Sequence, residues 1–347
     1  MKYVLSLIFM VITMATCSAL GFVDPDAPKK DPEYSRAVSK GAKAKIELQV
    51  IDDEGVPVSN ANVKVILGMV TTANILKGQT DTNGVFIIEG KTRGNEIIIQ
   101  PKKDGYYNSE KKIVFWGKQR QVKNGKWQPY GEKVTVVLRK KKNPKLLVTD
   151  FYNTRFTKTN TLNQWIGFDI KENDFVKPHG NGKVADFEIY FDWDGEWAYS
   201  PSYNGAIINI RFIEPHTGYY EVDKILTSDF KWQYNAMTNN VYIQSTSYGS
   251  RRLENGEFER KLYDKGTYWV VRSRPVVDEK GNLISANYSI FYNIQFSCNE
   301  DKTVGILLSR VFNPTPNDTN LEPVDIPTSD GIRIRTFPDP NYPPRLD

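Results

Sequence analysis

KIELQVIDDEGVPVSNANVKVILG, residues 45–68, decides the fold. Ile46, Leu48 and Val50 take every second position, so they share one face of an extended strand while Glu47 and Gln49 take the other. Asp52, Asp53, Glu54 and Gly55 then supply a turn, and Val63, Val65 and Leu67 repeat the alternation beyond it. A helix would return its apolar residues every three or four positions instead. The pattern predicts two strands joined by a turn, each with one apolar face.

The same reading extends along the chain. TDTNG (80–84) is a turn before VFIIEG (85–90), and EIIIQP (96–101) is a short strand ended by proline. KKIVFWG (111–117) and EKVTVVLRK (132–140) add two more. Roughly seven short strands at regular spacing predict a β-sandwich over residues 44–140.

Three segments in order, GVPVSNANVKV (55–65), TDTNGVFII (80–88) and KDGYYNSEKKIVF (103–115), resemble carboxypeptidase regulatory-like domains. The matching positions are Gly55, Pro57, Val58, Ala61, Val63, Thr80, Asp81, Gly84, Phe86, Gly105 and Tyr106. Gly55 and Gly84 suit turns with positive φ, Asp81 can bond its own turn backbone, and Ala61 is small where two layers meet. The resemblance implies a transthyretin-like, Ig-like sandwich that acts as an accessory module and is not catalytic. The last strand, EKVTVVL, lacks the Asn of the Lys–Asn crosslinks in some pilin-type relatives.

A basic run, RKKKNPK (139–145), follows, with 141–145 expected as a solvated linker. The second region, 146–312, matches no family known from its motifs but is again rich in strands. Those expected include KVADFEIYFDW (183–193), EWAYS (196–200), AIINIRFIE (206–214), FKWQYN (230–235), NVYIQSTS (240–247), GTYWVVRSRPVV (266–277) and VGILLSRVF (304–312). In ANYSIFYNIQF (286–296), Tyr288, Ile290, Tyr292, Ile294 and Phe296 fall on one face. VVDEKGNLI (276–284) is a turn between long strands, and TNTLNQW (159–165) a single helical turn. The expected fold class is therefore all-β with two β-sandwich domains, the second a sandwich or jelly-roll-like unit. The Pro-rich end, 313–347, reads as extended chain laid over a domain surface, with one edge strand at 331–337.

At the N-terminus, MKYVLSLIFMVITMATCSALG joins one Lys, an apolar stretch and small residues, the form of a secretory signal peptide over 1–19. Lipidation of Cys17 is the less favoured alternative. Residues 20–43 read as a Pro-, Asp- and Lys-rich spacer. No later run suits a membrane span, so the mature protein is expected in the periplasm, at the cell surface or outside the cell. Cys17 and Cys298 are the two cysteines, which leaves the mature chain without an internal disulfide and dependent on its cores. The formal charge of +5 becomes +4 without Lys2, 45 basic residues against 41 acidic, too little and too scattered for nucleic acid.

Chemistry concentrates in FEIYFDWDGEWAYS, residues 187–200. A two-residue turn at Asp194-Gly195 would pair Trp193 with Glu196 and Asp192 with Trp197. Glu188, Tyr190 and Asp192 would then share a face with Trp197 and Tyr199, while Ile189, Phe191 and Trp193 face the core. Three functional readings compete with a plain structural hairpin. Tyr190, Asp192, Trp197 and Tyr199 could stack on and bond a glycan. Asp192, Asp194 and Glu196 would suit calcium, although a complete calcium loop is missing and no other cofactor is indicated. A carboxylate acid–base pair is disfavoured, because Asp192 and Glu196 point to opposite faces. With only His179 and His216, both in loops, and neither HExxH nor GxSxG, zinc and serine hydrolases are improbable. The sequence thus points to an exported, non-enzymatic envelope or surface protein whose partner is a glycan or another envelope protein. An extracellular carbohydrate-active enzyme is the alternative.

Overall fold

The computed structural model describes residues 32–68, 74–93, 96–115, 122–157, 164–193, 206–252, 255, 257–261, 266–298 and 303–326. The expected export signal with Cys17, Asp194, Glu196, Trp197, Tyr199 and the expected strand at 331–337 lie outside them.

The first nine strands are β1 (Ala42–Asp52), β2 (Asn62–Leu67), β3 (Asn74–Gln79), β4 (Val85–Thr92), β5 (Glu96–Lys102), β6 (Lys111–Val114), β7 (Val122–Lys123), β8 (Lys126–Trp127) and β9 (Glu132–Leu138). One sheet runs β4-β1-β8-β7, with β9 also parallel to β1, and the other runs β3-β2-β5-β6. Ile46, Leu48, Val50, Val63, Val65 and Leu67 fill the space between them as the alternation requires, each at most 2% exposed. Burial of each such side chain is worth about 1.5–3 kcal/mol. The turns follow their sequence logic too. Asp81 Oδ1 accepts from the amides of Asn83 (2.9 Å) and Val85 (2.8 Å), and Asp52 Oδ1 does the same for Glu54 (2.9 Å) and Val56 (2.8 Å). Gly84, at φ 74°, lies so close to β1 that a Cβ would sit 2.3 Å from the carbonyl oxygen of Val50.

The expected spacer needs correction, because residues Pro32–Lys40 form a helix, α1. Pro32 opens it, where its missing N–H is not needed, and Gly41 at φ 83° closes it by donating to the carbonyl of Ala37 (2.8 Å). Ala37 is buried, and Tyr34 meets the buried Trp127 edge-on at 5.8 Å. Two apolar contacts suffice to dock the helix but are too few to show a period.

The remaining strands are β10 (Val148–Thr157), β11 (Trp165–Asp169), β12 (Asp174–Phe175), β13 (Phe187–Trp193), β14 (Ala206–Arg211), β15 (Gly218–Asp223), β16 (Ser245–Arg252), β17 (Phe258–Lys261), β18 (Thr267–Val277), β19 (Leu283–Cys298) and β20 (Thr303–Asn313). They form a second sandwich of one sheet ordered β10-β20-β19-β18-β15 and another ordered β12-β11-β13-β14-β16-β17. The all-β, two-sandwich expectation therefore holds. Between these sheets lies a core rich in aromatics, including Phe168, Phe187, Phe191, Phe291 and Trp269.

The five-stranded sheet is covered on both faces. Tyr220, Tyr268, Val270, Tyr288 and Ile290 face away from the first core and pack under Phe230, Trp232 and Leu321. Two local expectations fail here for identifiable reasons. Residues 230–235 form a covering loop and not a strand. In β19 a bulge at Tyr292 shifts the register against β20, so Tyr288 and Ile290 face the loop side while Ile294 turns into the core between the sheets.

Residues 141–144 of the basic run are exposed, while the residues on either side of them are engaged. Arg139 is buried, with its guanidinium 4.4 Å from the ring centroids of both Phe230 and Tyr234, and it donates to the carbonyls of Phe230 (3.0 Å) and Trp232. Lys140 pairs with Asp52 (2.7 Å), and Lys145 with Asp318 (2.6 Å). Glu322, itself buried, accepts from Tyr107 Oη (2.8 Å) and from the amides of Lys142 (2.9 Å) and Asn143 (2.7 Å). Segment 314–326 thus ties the linker and the first sandwich to the second, consistent with an extended tail laid on a surface.

Candidate functional site

The stretch singled out by its chemistry lies on β13, in the six-stranded sheet. Its alternation is as expected up to Asp192. Ile189 and Phe191 are wholly buried between the sheets, and Glu188, Tyr190 and Asp192 are half-buried on the outer face. The expected turn at Asp194-Gly195 and its return strand lie outside the described residues. Asp192 faces Ile207 and Trp193 faces Ala206 of β14. This register sets Ile208 and Ile210 beside Phe191 and Ile189 and buries all four beneath the sheet.

That register gathers a different set of side chains beside Tyr190. Trp165, Tyr190, Asn209 and Ser247 stand in one row across four strands, and Gly167, Glu188 and Arg211 in the next. The indole of Trp165 lies 5.4 Å from the Tyr190 ring, and the Arg211 guanidinium sits 3.9 Å above that indole. Glu188 Oε2 fixes Arg211 by accepting from its Nε and Nη2, each at 2.7 Å. Asn209 Oδ1 accepts from Ser247 Oγ at 2.8 Å. Trp165 nevertheless keeps 37% of its surface exposed, whereas Trp127, Trp232 and Trp269 are buried.

Beside Trp165 opens a groove of ≈ 680 Å³. Residues 164–167 line one side and 176–179 the other, with Ala185 and Glu188 completing it. Gly167 makes the close approach of the second wall possible, since a Cβ there would lie 2.6 Å from that of Ala185. His179, expected to be a loop residue, is one, and it borders the groove with Lys177.

The groove's outer wall is held by a buried ionic cluster. Asp169 and Asp186 flank the loop, and Arg274 of β18 bonds both. Asp169 Oδ2 accepts from the amides of Lys183 (2.9 Å) and Val184 (3.1 Å), and Asp186 Oδ2 from that of Ile170 (2.7 Å). Burial pushes both carboxyls up. At Asp169 the backbone donors and Arg274 outweigh it and hold the pKa below the ordinary range, whereas at Asp186 burial wins and the pKa rises. Asp174 caps the loop from inside by accepting from Asn181 N at 3.0 Å. These acids brace the wall without lining the groove.

Sequence reasoning identified Tyr190 and Asp192 but not Trp165, Arg211, Lys177 or the groove. Trp165 was expected in a helical turn, and its exposure depends on the β11–β13 register. Among the described residues, no group of three His, Cys, Asp or Glu is gathered to hold a metal ion. No described helix is long and apolar enough to cross a membrane.

No protein-family profile and no curated protein matches the chain. Several solved structures overlap it in part. A 3-chlorocatechol 1,2-dioxygenase from Rhodococcus opacus 1CP is 13% identical over 29% of this chain, with a TM-score of 0.24, and the chain spans 60% of that enzyme's length. The shaft pilin of Lactobacillus rhamnosus GG is 13% identical over 68% of this chain and 89% of its own, with a TM-score of 0.22. A DUF3823 family protein from Parabacteroides merdae ATCC 43184 is 8% identical over 67% of this chain and 90% of its own, with a TM-score of 0.20.

Proposed function

We propose that the chain is an exported, non-enzymatic protein of a bacterial envelope or surface whose second sandwich domain, 146–312, binds carbohydrate at the Trp165 groove. Export would use the segment 1–19, and residues 44–140 would serve as a carboxypeptidase regulatory-like accessory domain. One observation carries the proposal: Trp165 is left 37% exposed at the lip of a polar groove and held in place by Tyr190 and Arg211. An indole so placed offers an apolar face to the C–H side of a pyranose, while Gln164, His179 and Glu188 lie within the groove to meet hydroxyls. Tyr190 and Asp192 extend the same face, and Trp197 and Tyr199 are proposed to join it.

The carbohydrate-active-enzyme alternative is less well supported. A hydrolase needs two opposed carboxylates. Among the described residues lining the groove, Glu188 is the one carboxylate, and it is committed to Arg211. Binding of the full chain and of Trp165→Ala to a glycan array tests the proposal. Retention of every signal by the variant would refute this site, and no signal for the native chain would refute carbohydrate binding.

A further inference from the structure

We infer that the glycan taken by this groove is anionic, carrying a carboxylate or sulfate on the sugar ring. The inference rests on the carbohydrate reading of the groove and adds the ligand's charge. Of the charged groups in the groove, Glu188 is already neutralised by Arg211. The loop's acids do not line the groove: Asp169 and Asp186 share Arg274, Glu172 pairs with Lys183 at 2.9 Å, and Asp174 accepts from Asn181. Lys177 and His179 line the groove, and among the described residues neither side chain forms an ion pair. Even with a neutral imidazole, the groove lining therefore presents one lysine without an ion pair among the described residues, beside an aromatic platform.

A neutral sugar would leave that ammonium with water alone. A uronate or sulfated ring stacked on Trp165 would bring its anion towards Lys177 and His179 and gain a charge-assisted hydrogen bond. Such a contact is sensitive to ionic strength, because both partners sit near the surface.

The test is titration calorimetry of the full-length protein with oligogalacturonate, a sulfated galactan oligosaccharide and a neutral galactan oligosaccharide of equal length. An anionic probe should bind about ten-fold or more tightly than the neutral one and weaken steeply with added salt. Lys177→Gln with His179→Gln should abolish that preference, with the melting temperature unchanged because both lie in a surface loop. Trp165→Ala should weaken all binding. Preference for carboxylate over sulfate, or the reverse, names the anion. Equal binding of charged and neutral probes, or an anion preference that survives the Lys177 and His179 changes, overturns the inference while leaving carbohydrate binding intact. Failure of all three, together with a blank array, overturns both.

Discussion

Replacing Arg274 with methionine tests whether the buried ionic cluster holds the groove wall. The substitution keeps an unbranched apolar stem and removes the guanidinium. In the native protein Nε lies 3.1 Å from Asp186 Oδ1, Nη2 lies 3.1 Å from Asp186 Oδ2, and Nη2 also donates to Asp169. Both carboxylates have side chains only 1% exposed. Breaking a buried pair by removing one partner costs about 3–5 kcal/mol, because a charge remains without compensation. The two acids should not share that cost equally. Asp169 retains backbone N–H donors from Glu172, Lys183 and Val184, whereas Asp186 retains only that of Ile170. Asp186, already raised by burial, should therefore rise further in the variant. The sign of the pH effect follows. A folded pKa above the unfolded one gives stability that is complete below the unfolded value and lost as pH rises through the folded value. Arg274→Met should thus recover more stability on acidification than the native protein does, because its Asp186 is raised further. Adding Asp186→Asn should restore about 1–2 kcal/mol at pH 7. Hydrogen exchange at the Ile170, Lys183 and Val184 amides reports the wall directly and, unlike a global melt, does not require the two sandwiches to unfold together. Protection reduced by less than ten-fold at pH 7, with no pH-dependent recovery, would refute the reasoning.

Other changes probe the frame that supports the groove. Gly84→Ala places a Cβ against the Val50 carbonyl at positive φ and should cost more than about 2 kcal/mol in urea unfolding. A near-neutral result would mean that the turn relaxes freely. Glu322→Ala leaves Tyr107 Oη and two linker amides without their acceptor and should cost about 3 kcal/mol. It should also open residues 139–145 to trypsin, and an unchanged digestion pattern would count against a latched linker. Asp52, Asp169 and Asp318 are held below the ordinary carboxylate value of 3.8, each by hydrogen bonds and a nearby cation that outweigh burial. Their stabilisation is complete above that value and lost as pH falls through the lower folded values, so the urea midpoint should drop below about pH 4. A midpoint flat to pH 2 would contradict this.

The sequence carried the first sandwich almost whole. Ile46, Leu48 and Val50 alternate because one side of β1 is dry, and Asp81 and Gly84 mark a turn through local chemistry alone. Errors arose where distant residues decide. Arg139 and Lys140 look like part of a solvated run until Phe230, Trp232 and Asp52 come into place around them. The bulge at Tyr292 reverses the face of Ile294 with no special residue to announce it. The site was half legible for the same reason. Tyr190 and Asp192 follow from alternation within β13, while Trp165 and Arg211 join them only through the register of neighbouring strands.

The position of β10 beside β20 sets an order on biosynthesis. Val148–Thr157 must wait for Thr303–Asn313 before it gains a strand neighbour in its sheet, and Phe230 and Trp232 must wait for Leu321. The strands of the first sandwich, by contrast, are all synthesised once the ribosome passes Leu138. A nascent chain would therefore carry one finished unit followed by a long, aromatic-rich segment that cannot close until its final strand and strap arrive. Holding that segment open until the end is a burden on chaperones during synthesis.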